Sequence, residues 1–315
     1  MVEMMRVFVD NIPFYKDQCI EWQNKKTSLL KHLDDIKTLS LGGSHILYGV
    51  NPHCFDDVCF NFGLSSIDLF GMWNLLNIYG EKLTNLQNVI VRIGLFIPSH
   101  ELIKTGEAWR CFYYRDIFGI PYDIDGKNEE YTEWKQNISD VLGDLYLGYK
   151  EQTWFGKWLA TERYEGHLKG FLRNDSQLKY LSLINEWCVK HKKRLICVLA
   201  PTRSDVQDVS SKSVINLLCN YVREYAPYAE LVNLFYDSDF TDDDFGDTDH
   251  LNKFGANKFS IKLNEIIKND KIDNRKNYLY RYLFIGFIIN LPFVRPFVKY
   301  DYILKIRDKI KNNWC

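Results

Sequence analysis

The chain has 315 residues, of which 46% are hydrophobic, 15% aromatic and 26% charged, with 40 Lys+Arg against 41 Asp+Glu and a net charge of -1. A chain of that size buries a sizeable core in one large domain, or in one domain with appendages. Its charge balance gives no electrostatic reason to bind a polyanion, so nucleic acid is excluded from the expected partners. The eight cysteines are scattered, with no CxxC pair and no Cys/His cluster at zinc spacing. They read as reduced core cysteines of a cytoplasmic protein, with neither a disulfide framework nor a metal site.

Residues 1–18 (MVEMMRVFVDNIPFYKDQ) contain no continuous apolar stretch and no small-residue cleavage site, so no signal peptide is expected. Residues 14–33 have apolar positions at roughly helical spacing with Lys and Glu between them, which predicts a surface helix. Residues 36–41 form a first strand that runs into Gly42-Gly43 and stops at Ser44, after which a helix or helical turn can start. Residues 57–62 (DVCFNF) are a second strand that leaves through Asn61, Gly63, Ser65 and Ser66. Ser65 or Ser66 is then placed to cap a helix over about 67–78. Residues 88–97 (NVIVRIGLFI) are the clearest strand, ended by Pro98 and apolar enough to be covered on both faces, as in a parallel sheet.

Residues 101–173 are rich in aromatics and carry Gly and Asp/Asn breaks, and short helices in irregular chain are expected there, forming a cap over one sheet edge. Such density of Tyr and Trp suits a core, or a surface that stacks sugar rings. A helix over 175–192 leads into a strand at 194–200 closed by Pro201; Arg203 and Asp205 follow, as substrate contacts or as a salt-bridged loop. A helix over 211–225, a strand at 230–234, an acidic loop at 237–249 and a helix from about Lys253 complete the order. The acidic loop lacks the residue order of a calcium loop and reads as solvated charge. Strands alternating with helices predict an α/β fold with about five parallel strands and helices on both faces.

The tail, 271–315, has an apolar, aromatic middle at 283–297 broken by Asn290, Pro292, Arg295 and Pro296, then a basic stretch. It is too short and too broken to span a bilayer. It fits a segment lying in a membrane interface through 278–311, or an element docked on the sheet or on a second subunit.

Two blocks carry the chemistry. Ser44 stands at the end of the first strand, and Asp247 and His250 stand three apart in FGDTDHLNKFGANKFS before the last helix. In a parallel sheet such loops meet over the carboxyl edge, where ligands bind. A serine hydroxyl needs an imidazole to take its proton, and the imidazole needs a carboxylate on its other nitrogen. Asp249 rivals Asp247 for that place, although a carboxylate immediately before the histidine usually points elsewhere. His45 is expected to face away from the site or to pack locally.

GGSH after a strand, together with DTDHLNKFGANKFS near the end, resembles the SGNH/GDSL hydrolase superfamily, in particular a divergent bacterial branch associated with cell-surface polysaccharide and teichoic-acid acylation. The resemblance covers about residues 36–265. It implies a flavodoxin-like three-layer sandwich and a Ser-Asp-His triad of Ser44, Asp247 and His250, with His250, Leu251, Asn252, Gly255 and Ala256 carrying the last block. It further implies ester hydrolysis or acyl transfer on a small-molecule or glycan acyl substrate, with no cofactor. The second block falls at 61–66, so the backbone N–H groups of Ser44 and of Gly63 or Ser66 are the expected oxyanion donors, and Asn61, like Arg203, is expected near substrate. The third block, usually Gly-x-Asn-Asp, falls on 94–97 (GLFI), where the asparagine is missing. An O-acyl esterase or O-acyltransferase is therefore the first expectation, and a catalytically weak scaffold in a glycan-assembly pathway the second.

Overall fold

The strands Thr38–Gly42 (TLSLG), Cys59–Gly63 (CFNFG) and Asn88–Ile93 (NVIVRI) are buried at every position rather than at alternate ones. A strand of that kind needs cover on both faces, which a parallel sheet flanked by helices provides. The computed structural model describes residues 7–9, 12–137, 146–152 and 174–269. Among them, in chain order, are β1 (Val7–Phe8), α1 (Lys16–Lys31), β2 (Thr38–Gly42), α2 (Ser44–Gly49), β3 (Cys59–Gly63), α3 (Leu69–Tyr79) and β4 (Asn88–Ile93). Then come α4 (Trp109–Phe118), β5 (Ile124–Asp125), α5 (Glu129–Gln136), α6 (Asp175–Lys190), β6 (Arg194–Leu199), α7 (Ser204–Val209), α8 (Lys212–Tyr225), β7 (Glu230–Asn233) and α9 (Lys253–Asn269).

Five strands form one all-parallel sheet in the order β3-β2-β4-β6-β7, flanked by helices; β1 and β5 form a separate parallel pair. Counted from β2, that is the 2-1-3-4-5 order of a flavodoxin-like sandwich. The chain leaves β2 toward β3 on one side, while β4 leads to β6 on the other. The crevice at the carboxyl ends of β2 and β4 is therefore the topological switch point, the place where such sheets bind ligands.

Two features differ from the sequence reading, and an alternative it left open is decided. β4 stops at Ile93 rather than running to Ile97; beyond it Gly94 lies against the Arg92 guanidinium, where a Cβ would stand 2.2 Å from Nη1. The cap of α3 is Asp68, whose carboxylate accepts the Gly71 N–H at 2.9 Å, and not Ser65 or Ser66. The aromatics of α4 are core: Tyr113 and Tyr114 are fully buried, with rings 5.6 and 5.2 Å from that of Trp22 on α1. Residues 138–145, 153–173 and 270–315, which hold part of the expected cap and the whole expected tail, lie outside the described residues. The chain divides into two units, Met1–Asn264 and Glu265–Cys315; of the second, only the end of α9 is described. Among the described residues no helix is long and apolar enough to cross a membrane.

β3 is an edge strand, and an edge leaves backbone groups without a ladder partner. Two of its carbonyls, Gly63 and Asn61, accept from the fully buried Nζ of Lys25 at 2.7 and 3.4 Å. Burial pushes the Lys25 amine down to about 7. Lys25→Met strands both carbonyls in the core, and urea unfolding should show a loss of about 2–3 kcal/mol. Between about pH 7 and 10.4 the unfolded chain holds the extra proton, so wild-type stability rises with pH across that window. Lys25→Met should flatten that rise; equal stability and an equal pH slope would refute the role.

Candidate active site

β2 turns into α2 across a single residue, Gly43. The turn can be that tight because Gly42 is bare: a Cβ there would lie 2.5 Å from Ile46 Cγ1 and 3.2 Å from Arg92 Cβ. Ser44 is thereby the first residue of α2, partly exposed at the carboxyl edge of the strand.

The second block folds into a closed loop. Phe245 and Leu251 form an antiparallel bridge, and the Gly246 N–H donates to the His250 carbonyl at 2.9 Å. Asn252 ties the loop to α9: its Oδ1 accepts the N–H groups of Phe254 (2.9 Å) and Gly255 (3.1 Å), and its amide donates to the carbonyls of Asp243 (2.7 Å) and Phe245 (3.2 Å). Gly255 lets the loop close, since a Cβ there would stand 2.2 Å from the Asp244 carbonyl. α9 is in turn bound beside the nucleophile segment, with Ser260 Oγ accepting the Asn51 N–H at 2.7 Å.

These constraints bring three distant side chains together. His250 Nε2 lies 2.7 Å from Ser44 Oγ, and His250 Nδ1 lies 2.9 and 2.8 Å from the two carboxylate oxygens of Asp247. A carboxylate beside Nδ1 keeps the proton on that nitrogen, which leaves Nε2 as the acceptor for the Ser44 hydroxyl. Burial works against ionising Asp247. The bonds from the His250 ring and from the backbone N–H groups of His250 and Asp249 outweigh it and hold the carboxyl below its ordinary value.

His45 and Asp249 sit nearer the site than the sequence reading placed them. Asp249 stands between two imidazoles, with Oδ1 3.3 Å from His250 Nδ1 and Oδ2 3.3 Å from His45 Nε2. The two histidine rings are 4.7 Å apart. Neighbouring positions in a short helix-forming turn aim Ser44 and His45 to different sides, yet the loop wraps around both. His45, Asp249 and His250 offer donors within 4.8 Å of one another, a spacing a metal ion can use. The set suits a cation poorly, because Arg92 places positive charge beside His45, and His250 is already engaged by Asp247 and Ser44.

Burial first, and then Arg92, pushes His45 down to about 3. An unfolded histidine titrates near about 6.5. From pH 6.5 down to 3 the unfolded chain therefore holds the extra proton, and stability falls with falling pH. His45→Gln should have a shallower decline in unfolding free energy between pH 6.5 and 4 than the wild type; superimposable slopes would count against a buried neutral His45.

The expected oxyanion donors separate. Gly63 is a correction: its N–H donates to Asn61 Oδ1 at 2.9 Å and is not available to a substrate. Asn61 is another. It is fully buried, and its amide holds the carbonyls of Ile46 (2.6 Å), Leu47 (3.3 Å) and Val50 (2.7 Å), so it anchors α2 and touches no substrate. Arg203 is bound to the site loop itself, donating to the Asp247 carbonyl at 3.1 Å and to Asp205 at 3.0 Å. The N–H groups of Ser44 and Ser66 have no acceptor among the described residues. Ser66 N would lie 3.9 Å from a Cβ placed on Gly43, so it borders the nucleophile turn. Where the third block would supply an asparagine, Phe96 stands, its ring 6.3 Å from that of His45 and 5.3 Å from that of His100. Tyr48 meets the His250 ring edge-on at 5.5 Å.

No family model matches the chain, and no curated protein does. Among solved structures, one described as "a putative platelet activating factor from Streptococcus pneumonia" is similar at 12% identity with a TM-score of 0.40, covering 79% of this chain and 91% of that one.

Proposed function

We propose that the protein is a serine-dependent O-acyl esterase or O-acyltransferase of the SGNH/GDSL type. The observation that carries this reading is the continuous line from Ser44 Oγ through His250 to Asp247, at 2.7 and 2.8 Å. Ser44 Oγ attacks the acyl carbonyl as His250 Nε2 takes its proton, and Asp247 stabilises the imidazolium. The N–H groups of Ser44 and Ser66 receive the oxyanion. Collapse breaks the ester C–O bond, and the leaving alkoxide takes the proton from His250 and departs as an alcohol. The acyl group is now on Ser44. Water or a second hydroxyl, deprotonated by His250, attacks the acyl-enzyme and releases an acid or a new ester, restoring Ser44. No step calls for a metal or a prosthetic group.

The substrate we propose is an acylated carbohydrate, glycan or glycan precursor. The support is the resemblance of LSLGGSH and DTDHLNKFGANKFS to the polysaccharide-acylation branch. With it goes a cytoplasmic place, with the segment 278–311 resting on a membrane surface.

A second reading is favoured by Phe96: without the third-block asparagine, one oxyanion donor is missing, a loss worth about 10²–10³ in rate. On that reading the fold serves as a scaffold or binding protein in a cell-surface polysaccharide pathway. A fluorophosphonate probe and p-nitrophenyl acetate separate the two. The enzyme reading expects labelling and turnover, both lost in Ser44→Ala and in His250→Ala. A folded wild-type chain that neither labels nor turns over acetyl esters would leave the scaffold.

A further inference from the structure

Ser66 has φ +57°, in the left-handed region that glycine enters freely and a side chain does not. Residues stay in such a conformation when their surroundings over-determine it. Here the surroundings are three side chains from outside the loop. The Ser66 hydroxyl donates to Glu107 Oε2. His100 Nε2 donates to the Ser66 carbonyl at 2.7 Å. The buried Tyr114 hydroxyl donates to the preceding carbonyl, that of Ser65, at 2.7 Å. Glu107 is itself held, with Arg110 Nη2 donating to Oε1 at 3.1 Å and its own N–H bonded to Thr105 Oγ1 at 3.1 Å. Burial works against ionising Glu107, but the bonds from Ser66 and Arg110 outweigh it and keep the carboxyl below its ordinary value. With the hydroxyl and the carbonyl tied down, the backbone group without an acceptor among the described residues is the Ser66 N–H, whose nitrogen would lie 3.9 Å from a Cβ on Gly43.

We infer that Glu107 and His100 are positioning residues that clamp Ser66 in its left-handed conformation and so aim its N–H as an oxyanion donor. The inference rests on the acyl-transfer reading of Ser44 and deepens it. A glycine at this position would adopt the conformation unaided. A serine makes the donor depend on a carboxylate 41 residues further along the chain. The clamp also gives residues 100–107 a part in the site that no local pattern in their sequence announces.

The test is a mutant cycle on the full chain, read by p-nitrophenyl acetate kinetics. Glu107→Ala should lower kcat by about 10–100-fold with KM changed less than about twofold, somewhat less than deleting an oxyanion donor outright. Ser66→Ala keeps the N–H but loses the hydroxyl anchor, and should reproduce that pattern. Glu107→Gln keeps an oxygen acceptor and should recover at least about tenfold of the loss. In a Ser66→Gly background, adding Glu107→Ala should cost less than about threefold, because glycine needs no clamp. The same loss in both backgrounds, or a rise in KM with kcat unchanged, would overturn the inference and put Glu107 on the substrate instead.

Melting temperatures give a readout that does not depend on catalysis. Glu107→Ala should lower Tm by about 2–4 °C in the serine background and by less than half of that in the glycine background. Strictly additive shifts would overturn the clamp. A wild-type chain without activity but with non-additive melting would remove the acyl-transfer reading and leave the clamp standing. An active chain with additive melting would do the reverse.

Discussion

Ser44→Ala should lower kcat/KM for an acyl ester by about 10⁴–10⁶-fold and abolish fluorophosphonate labelling. The reason is local. The Ser44 hydroxyl is the group that His250 Nε2 meets, at 2.7 Å, and no other hydroxyl among the described residues is bonded to that nitrogen. Without the oxygen the N–H donors can still polarise a carbonyl, and that sets the residual rate. The fold should be left intact. The bare Gly42, and not the Ser44 side chain, allows the tight turn into α2, and the substitution removes one hydrogen bond worth about 1 kcal/mol. His250→Ala should cost about as much, and the double variant little more than either single one, because the pair acts as a unit. Activity surviving in Ser44→Ala would end the nucleophile assignment. Multiplicative losses in the double variant would mean that the two residues act separately.

Asp247→Asn should cost about 10⁴-fold in kcat, and Asp249→Asn no more than about tenfold. Both carboxylates approach His250 Nδ1, but Asp247 does so at 2.8 Å and Asp249 at 3.3 Å. Asp247 Oδ1 also accepts the N–H groups of His250 (2.8 Å) and Asp249 (3.1 Å), so the same group fixes both the loop and the imidazole. An asparagine amide facing Nδ1 would favour the other tautomer and turn Nε2 from acceptor to donor. Asp249 divides its oxygens between two histidines, and its removal leaves the His250–Asp247 bond in place. The pH dependence carries a second signature. The folded-state pKa of Asp247 is lowered, so its contribution to stability is present above about pH 3.9 and lost as pH falls through the folded value. Asp247→Asn removes that contribution and Asp249→Asn does not. A larger loss of kcat in Asp249→Asn would reverse the two roles.

β2, β3, β4 and β6 were legible in the sequence because their burial is two-sided, whereas β7 is only half-buried. Runs such as NVIVRI and LICVL are apolar without alternation, and the breaks between them fall at Gly, Pro and Asp/Asn. The two chemical blocks were legible for a related reason. A strand that must turn within one residue needs glycine, and a loop that must close on a helix start needs the Asn252 cap and the bare Gly255. Such demands are local, and residue type answers them directly.

What was not legible depended on which of several equivalent groups a distant neighbour takes. Asn61 and Gly63 occupy the second block as any reading of 61–66 would have it, yet the Asn61 side chain bonds the Gly63 N–H and leaves Ser66, whose nitrogen borders the turn. Ser65 and Ser66 look like helix caps, but Asp68 caps α3 while Ser66 is held by Glu107 and His100. Arg203 sits on the right edge of the sheet, and its guanidinium goes to the loop carbonyl of Asp247.

The places of the strands along the chain, the tight turn at Ser44 and the capped loop at His250 follow from short-range backbone requirements, and the sequence by itself determined them; the order in which the strands pair did not. The identity of the oxyanion donors, the place of Asp249 between two histidines, and the reach of Glu107 into the site were decided only by tertiary structure. The physical reason is that each side chain has only a few donor hydrogens and lone pairs to share. Which partner takes them depends on what folding brings within about 3 Å, and not on what stands beside the residue in the chain.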